Sequence, residues 1–444
     1  MNNRPLETKY LFQLALPIMM GGFIQFVVNF TNTVFVGRLG ELALNTVGNS
    51  GLLFITLFVV GQGFGSGVQI LVARRLAQRK HRQVGWIAQH GFLLSVVGSI
   101  LLLGVGQLIR MYLLQDMIAD DELRGAMSDF LYYRNWAFLV AIPNAMLMGY
   151  FTGLGKTAIL GWSALITATA NIALDYMLIY GKWGAPALGP NGAAIASTCA
   201  ESLSFAAVVV YTATSKFQRK FELLRWGKVR FNLIQKLLRL SGPLIGQRFI
   251  SLFAWTAFFF FIEKTGSQKL AVSQVIRNLY FLAFIPIFGF GSATGTVVSG
   301  LMAQKDAKGV MAAMVKIGWI STCVTFVFVH GYLFYPRTIV SLITTDPLIV
   351  EQSIPVLRLI VSSMLIHSTV MVLFNGVSGV GDTKWAFWIE LVSIVIYLIY
   401  CYWVCIYQPQ NLFVIWCAEF VYFGLLALFS WAYFKWSNWR TFEI

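Results

Sequence analysis

The sequence predicts an all-α membrane protein of about twelve transmembrane helices, arranged as two six-helix lobes related by a pseudo-two-fold axis along the membrane normal. Three observations carry that expectation. The 444-residue chain is 58% hydrophobic and only 11% charged, far from the composition of soluble domains. Apolar runs of about twenty or more residues, each long enough to cross roughly 30 Å of hydrocarbon as a helix, recur from end to end. The second half of the chain repeats the first in one ungapped register.

The runs justify the helices in order. The first begins near Tyr10 behind a short polar start and continues to about Val36 with no small-residue cleavage pattern, so it reads as a retained helix. Further spans are expected at 46–73, 84–112, 128–153, 157–182, 191–214, 232–262, 270–300, 309–336, 350–378, 384–408 and 411–436. Stretches such as LLFITLFVVGQGFGSGVQILV do not alternate, which excludes the ten-residue strands of a membrane barrel.

A formal net charge of +15 invites a nucleic-acid reading, but the cations cluster between apolar runs and mark topology instead. Arg74, Arg75, Arg79, Lys80 and Arg82 follow the second run; Lys216, Arg219, Lys220, Arg225, Lys228 and Arg230 follow the sixth; Lys305 and Lys308 follow the eighth. These loops are expected in the cytoplasm, and an alternate loop carries the acidic DMIADDE at 116–122. Both termini then lie on the cytoplasmic side of the cell inner membrane. Cys199, Cys323, Cys401, Cys405 and Cys417 all fall inside apolar runs without a CxxC pair and read as small buried packing residues.

The repeat shows in GFGSG at 63–67, which returns as GFGSA at 289–293, an offset of 226. The same offset pairs Pro17 with Pro243, Gly40 with Gly266, Gly153 with Gly379, Gly155 with Gly381, Thr157 with Thr383 and Trp162 with Trp388. The expected domains are an N-lobe at 1–214, a basic amphipathic cytoplasmic linker at 215–231 and a C-lobe at 232–444. Six spans, an even number, leave both copies in one orientation, with a cleft between them suited to alternating-access transport. The partners implied are the bilayer and small organic substrates, whose cationic groups aromatic faces would attract. A monomer is expected.

Chemistry-bearing residues are few. His81, His90, His330 and His367 are scattered without HExxH spacing, and GQGFGSG lies in an apolar run where no βαβ unit fits, so an enzyme is not expected. Asp175, in ATANIALDYMLIYG at 168–181, is the residue that needs a reason. An acid at helix depth costs about 2.5–3.5 kcal/mol to insert, and this one lies about 30 Å along its helix from Gly155. Asn171 precedes it by one turn on the same face. Carboxylate and amide oxygens suit Na⁺, and a buried carboxyl can also exchange a proton, so H⁺ and Na⁺ both stand as coupling ions. A purely structural acid is the alternative. Arg248 either faces the cleft or pairs with Glu263, Glu390 or Glu419. Arg134 and Arg358, in nearly corresponding places, read as helix-end anchoring or lobe architecture, with substrate contact the alternative.

Several stretches together resemble the multidrug and toxic compound extrusion (MATE) family: FTNTVFVGRLGELALNTVGNSGLLF at 30–54, YYRNWAF and PNAMLMGYFTGLGKT within 132–157, NIALDYMLIYG at 171–181 and NGVSGVGDT at 375–383. NGAAIASTCAES at 191–202 looks most like its DinF-like branch. The resemblance implies twelve helices in two lobes and export of amphipathic or cationic organic compounds in antiport with H⁺ or Na⁺, without other cofactors. A lipid-linked or polysaccharide precursor flippase of the same superfamily is the alternative. Asn171 and Asp175 match the asparagine and aspartate of the family's N-lobe cation site. Its first-helix aspartate falls on Asn32, and its sixth-helix threonine on Ser197 or Thr198. The departure at Asn32 leaves one acid where the family site has two. Gln25 and Asn29 on the same helix are further polar candidates, and His367 falls near a tenth-helix aspartate of part of the family or is a packing histidine.

Overall fold

Turn chemistry sets where the helices stop. The computed structural model describes residues 7–223 and 227–444; Arg225, counted above among the linker cations, lies outside the described residues. Among these residues twelve helices are long and apolar enough to cross a membrane: α1 Thr8–Gly37, α2 Glu41–Ala77, α3 His81–Met117, α4 Asp121–Gly153, α5 Ala158–Tyr180, α6 Pro190–Thr214, α7 Phe231–Lys264, α8 Ser267–Ala303, α9 Ala307–Phe334, α10 Pro347–Val380, α11 Thr383–Tyr407 and α12 Leu412–Trp436. Asp120 caps α4 by accepting from the Glu122 and Leu123 amides, and Asp346 caps α10 through the Leu348 amide at 2.8 Å with Pro347 in the first turn. Large apolar side chains point outward along these helices, among them Phe30, Leu101, Phe253, Trp319 and Trp388. Only lipid accommodates such a surface.

Duplication is written into the backbone. Helices α2 and α8 start and stop 226 residues apart, at 41 and 77 in one copy and 267 and 303 in the other. Left-handed turns recur at the same offset: Gly40 (φ 109°) with Gly266 (φ 124°), Arg79 with Lys305 (both φ 58°), and Gly155 (φ 69°) with Gly381 (φ 99°). Glycine takes such angles without a Cβ penalty.

Contacts divide the chain into two compact units, Met20–Ile245 and Met1–Met19 with Gly246–Ile444. Within the first, α2 and α4 meet backbone to backbone: a Cβ on Gly149 would lie 2.0 Å from the Gly65 carbonyl oxygen, and one on Gly153 would lie 2.6 Å from that of Gln69. Small residues let helices in lipid gain dispersion energy by close approach. In the second unit the corresponding pair is Gly291 with Asn375, whose amide nitrogen would stand 3.0 Å from a Cβ on Gly291. The linker, with a short helix Lys216–Phe221, is tied to α3. Gln89 donates to the carbonyls of Glu222 (2.9 Å) and Leu223 (3.1 Å), the Arg230 amide donates to His90 Nε2 at 2.9 Å, and the Arg230 guanidinium lies 3.4 Å over the Trp86 ring.

The cysteine expectation needs correction. Cys401 and Cys405 are buried, but Cys199 and Cys323 are exposed, because a small apolar side chain on a membrane helix is equally at home against lipid. From the α2–α4 contact, Gly149→Ala is expected to lower stability by about 1–3 kcal/mol, the range for overpacking, read as a fall in the thermal midpoint of detergent-purified protein; Gly98→Ala, where an added Cβ meets nothing within 4 Å, is the control.

Candidate functional site

The α5–α6 hairpin builds the site. Gly181 closes α5 in a left-handed cap (φ 67°), and a Cβ on Gly192 would lie 2.5 Å from the Leu178 carbonyl oxygen, so the two helices run in close contact. Ser163 and Ser204 hydroxyls, 2.7 Å apart, join them further along. The end of α1 is attached by Tyr180, whose hydroxyl donates to the Phe35 carbonyl at 2.7 Å. All of these residues belong to the Met20–Ile245 unit.

Inside this frame Asp175 is fully buried and Asn171 nearly so (0% and 1% exposed). Asn171 Nδ2 donates to Ser197 Oγ at 3.2 Å. Asn32 completes the group: its amide nitrogen faces Asp175 Oδ2 at 2.6 Å, Asn171 Oδ1 at 3.0 Å and the Val28 carbonyl at 3.1 Å. These acceptors fix the amide orientation, since an oxygen in its place would face only oxygens. Asp175 Oδ1 has no hydrogen-bond partner among the described residues. The structure thus brings Asn32, Asn171, Asp175 and Ser197 together from α1, α5 and α6. Thr198 does not join them; its hydroxyl turns back to the Ala194 carbonyl of its own helix at 2.8 Å. Gln25 is exposed and donates to Asn29 at 3.1 Å, one turn along α1, so these two satisfy each other.

An ion pair joins Arg134, read above as helix-end or lobe architecture, to Glu201, to which the sequence reading gave no role. Arg134 on α4 pairs with Glu201 on α6 at 2.6 Å, lies 3.8 Å over the Phe54 ring and acts electrostatically on Asp175. Arg358, its near-counterpart in the other unit, is exposed. Glu201 carries the same signal as Asp175, an acid inside an apolar run, and its spacing of one turn after Ser197 could have found it.

The other unit holds a different polar cluster. Glu390 on α11 is buried, and its Oε1 accepts from Ser251 Oγ and Tyr422 Oη, each at 2.6 Å. Arg248 acts on Glu390 electrostatically and lies 6.0 Å over Phe288, while Glu263 is exposed; of the three acids weighed for Arg248, Glu390 is the one it faces. Glu419 accepts from Tyr280 Oη at 2.8 Å. His367 is 4% exposed, with its ring stacked 3.8 Å from Phe423 and 5.4 Å from Phe284, and its Nδ1 has no partner among the described residues. These surroundings are those of a packing ring. His367→Phe is therefore expected to hold or raise the thermal midpoint, since it removes an unpaired buried nitrogen, and to leave the pH profile of transport unshifted.

Comparison with known proteins places these residues in context. The MatE family model matches residues 17–177 and 243–403, one match in each half. Among curated relatives, the probable multidrug resistance protein NorM of Idiomarina loihiensis is 24% identical over 88% of this chain and 85% of its own length. The NorM proteins of Synechocystis sp. (27% identical, 76% and 73% covered) and Thermotoga maritima (25%, 88% and 84%) are similar. Among solved structures, an outward-facing multidrug resistance MATE family transporter of the MOP superfamily superposes with a TM-score of 0.88 at 18% identity, covering 96% of this chain and 95% of that one. A MOP superfamily transporter from Pyrococcus furiosus gives the same values. At that identity the superpositions establish the fold.

Proposed function

We propose that this chain, which belongs to the MatE family, exports amphipathic or cationic organic compounds across the cell inner membrane in exchange for protons, by alternating access, as a monomer with both termini in the cytoplasm. Its relatives bear the name multidrug resistance protein NorM, and basic loops after the second, sixth and eighth spans support the orientation.

The observation that carries the reading is Asp175 itself. A fully buried carboxylate with one oxygen held by Asn32 and the other unpartnered is poorly satisfied when ionised, and a proton on it removes the charge that hydrocarbon opposes. The donor set favours H⁺ over Na⁺. Sodium needs several oxygens turned inward, yet the Asn32 nitrogen stands 2.6 Å from Asp175 Oδ2 and 3.0 Å from Asn171 Oδ1, where the ion would sit.

The exchange works through the hydrogen bonds of this group. With Asp175 ionised, Asn32 donates to it and Asn171 is held to Ser197. With Asp175 protonated, the acid becomes a donor, and the Asn32 amide gains by turning its oxygen toward it. A proton at Asp175 therefore changes which atoms of α1, α5 and α6 bind one another, which biases a two-state transporter.

In proteoliposomes loaded with a fluorescent organic cation, Asp175→Asn is expected to reduce flux driven by an imposed pH gradient by about tenfold, within the usual range of coupling free energies. An imposed Na⁺ gradient should drive little flux in the wild type. Undiminished pH-driven flux in Asp175→Asn would sink the reading. Asn32→Asp turns the blocking nitrogen into an oxygen and adds a charge, so Na⁺-driven flux should rise in that variant; an unchanged Na⁺ response would mean that residue 32 does not govern ion choice.

A further inference from the structure

The ends of α2, α3 and α7 surround a basic cavity that the exchange chemistry at Asp175 does not use. It measures about 420 Å³, and its walls include Arg75 from the last turn of α2, Trp86 from the second turn of α3, and Arg230, Phe231 and Lys236 where the linker runs into α7. No acidic side chain is among the residues that line it, and all of them belong to the Met20–Ile245 unit. The Arg230 guanidinium lies 3.4 Å over the Trp86 ring, which Arg82 also approaches to 5.4 Å. An aromatic face orients a cation without cancelling its charge. Among the described residues neither the Arg230 nor the Lys236 side chain has a hydrogen bond or an acidic partner. Lys236 instead meets the like charges of Arg75 and Lys80. Three like charges facing one cavity repel one another, and an anion among them turns that repulsion into attraction.

Depth and flanking residues say which anion suits it. At 1.5 Å per residue the 34 residues of α7 extend about 51 Å, against roughly 30 Å of hydrocarbon, so its first turns reach the headgroup layer. On those turns Phe231 and Leu238, seven residues apart on one helix face, are 78% and 50% exposed. Asn232 and Lys236, one turn apart on the adjoining face, line the cavity. A free phosphate or a nucleotide would use the cations alone. A phospholipid uses both faces, its phosphate among the cations and its chains along the apolar side, as basic pockets between helix ends take anionic headgroups. We propose that this cavity binds the headgroup phosphate of an anionic phospholipid, with Arg75, Arg230 and Lys236 as its cationic contacts and Phe231 and Leu238 along its acyl chains. The basic loops after the second and sixth spans meet here, the pattern expected of the cytoplasmic side, where anionic lipids are exposed. An organic cation is repelled by the same charges, so this lipid site is separate from the path of the exported compound.

Titration of the detergent-purified full chain tests this, with heat of binding and thermal midpoint as readouts and three probes: dioctanoyl phosphatidylglycerol, dioctanoyl phosphatidylcholine and glycerol phosphate. The phosphatidylglycerol is expected to bind saturably and to raise the midpoint. The other two should bind at least tenfold more weakly, since one lacks net charge and the other lacks chains. Lys236→Gln removes an exposed cation, so it should leave the lipid-free midpoint unchanged and weaken phosphatidylglycerol binding about fivefold. Adding Arg230→Gln should bring the loss to about thirtyfold, at roughly 1 kcal/mol per cation near a membrane surface. Phe231→Ala should weaken the lipid and leave glycerol phosphate as it was. Glycerol phosphate binding as tightly as the lipid would mean a site for free anions and overturn the proposal; phosphatidylcholine binding as tightly would mean contact with chains alone and overturn it too. Unchanged phosphatidylglycerol affinity in the double variant has the same force. If Arg230→Gln lowers the lipid-free midpoint, Lys236→Glu decides, because its side chain is exposed: a loss of more than fivefold upholds the lipid site and wild-type affinity overturns it. Each readout is binding instead of flux, so the outcome is independent of the proton-exchange reading.

Discussion

A charge placed between the ends of these helices finds its partner inside the protein, because hydrocarbon supplies none. Most of the polar architecture follows from that constraint. Arg134 rests on Phe54 and Glu201, Glu390 on Ser251 and Tyr422, and Glu419 on Tyr280. Each assembly draws on at least two helices of its own unit, so each fixes the rotation of helices that apolar packing alone would leave loosely specified. Asp175 is the exception, because its partners satisfy only one of its oxygens.

The duplicated scaffold and the unduplicated chemistry answer to different demands. Turns, helix ends and glycine contacts recur at the 226-residue offset because every six-helix unit in lipid meets the same backbone requirements. The polar clusters do not recur: Tyr397 and Cys401 stand where the offset would place Asn171 and Asp175, and both are buried in an apolar and aromatic core. Where the N-terminal unit packs Gly149 against Gly65, the other uses Asn375 against Gly291, so even a shared contact has been altered by one side chain.

Much of this was legible from residue order. Hydropathy runs located all twelve helices, because they depend on composition over long windows; the compact units, by contrast, divide within the first and seventh helices, at boundaries that the repeat does not mark. Asn32, Asn171, Asp175 and Ser197 were also readable, two of them, Asn32 and Ser197, only through likeness to a known motif. Arg134 and Glu201 were not joined, since they lie on different helices 67 residues apart and nothing in a linear pattern says which faces of α4 and α6 meet. The same holds for Arg248, for which three acids were plausible until the packing of α7 and α11 singled out Glu390. Thr198 against Ser197 was a choice of about 100° of helix rotation, finer than a sequence resolves.

The paired left-handed turns at Arg79 and Lys305 bear on how the chain is made as well as on how it folds. A residue with a Cβ gives up roughly 1–2 kcal/mol in that conformation relative to an unstrained one, and glycine would remove the strain. Both copies instead place a cation there, at the end of the second helix of each unit. During synthesis a nascent helical pair is oriented before any tertiary contact exists, and the flanking positive charge is the signal that settles which end stays behind. The finished fold retains a small strain at two turns as the trace of that earlier decision.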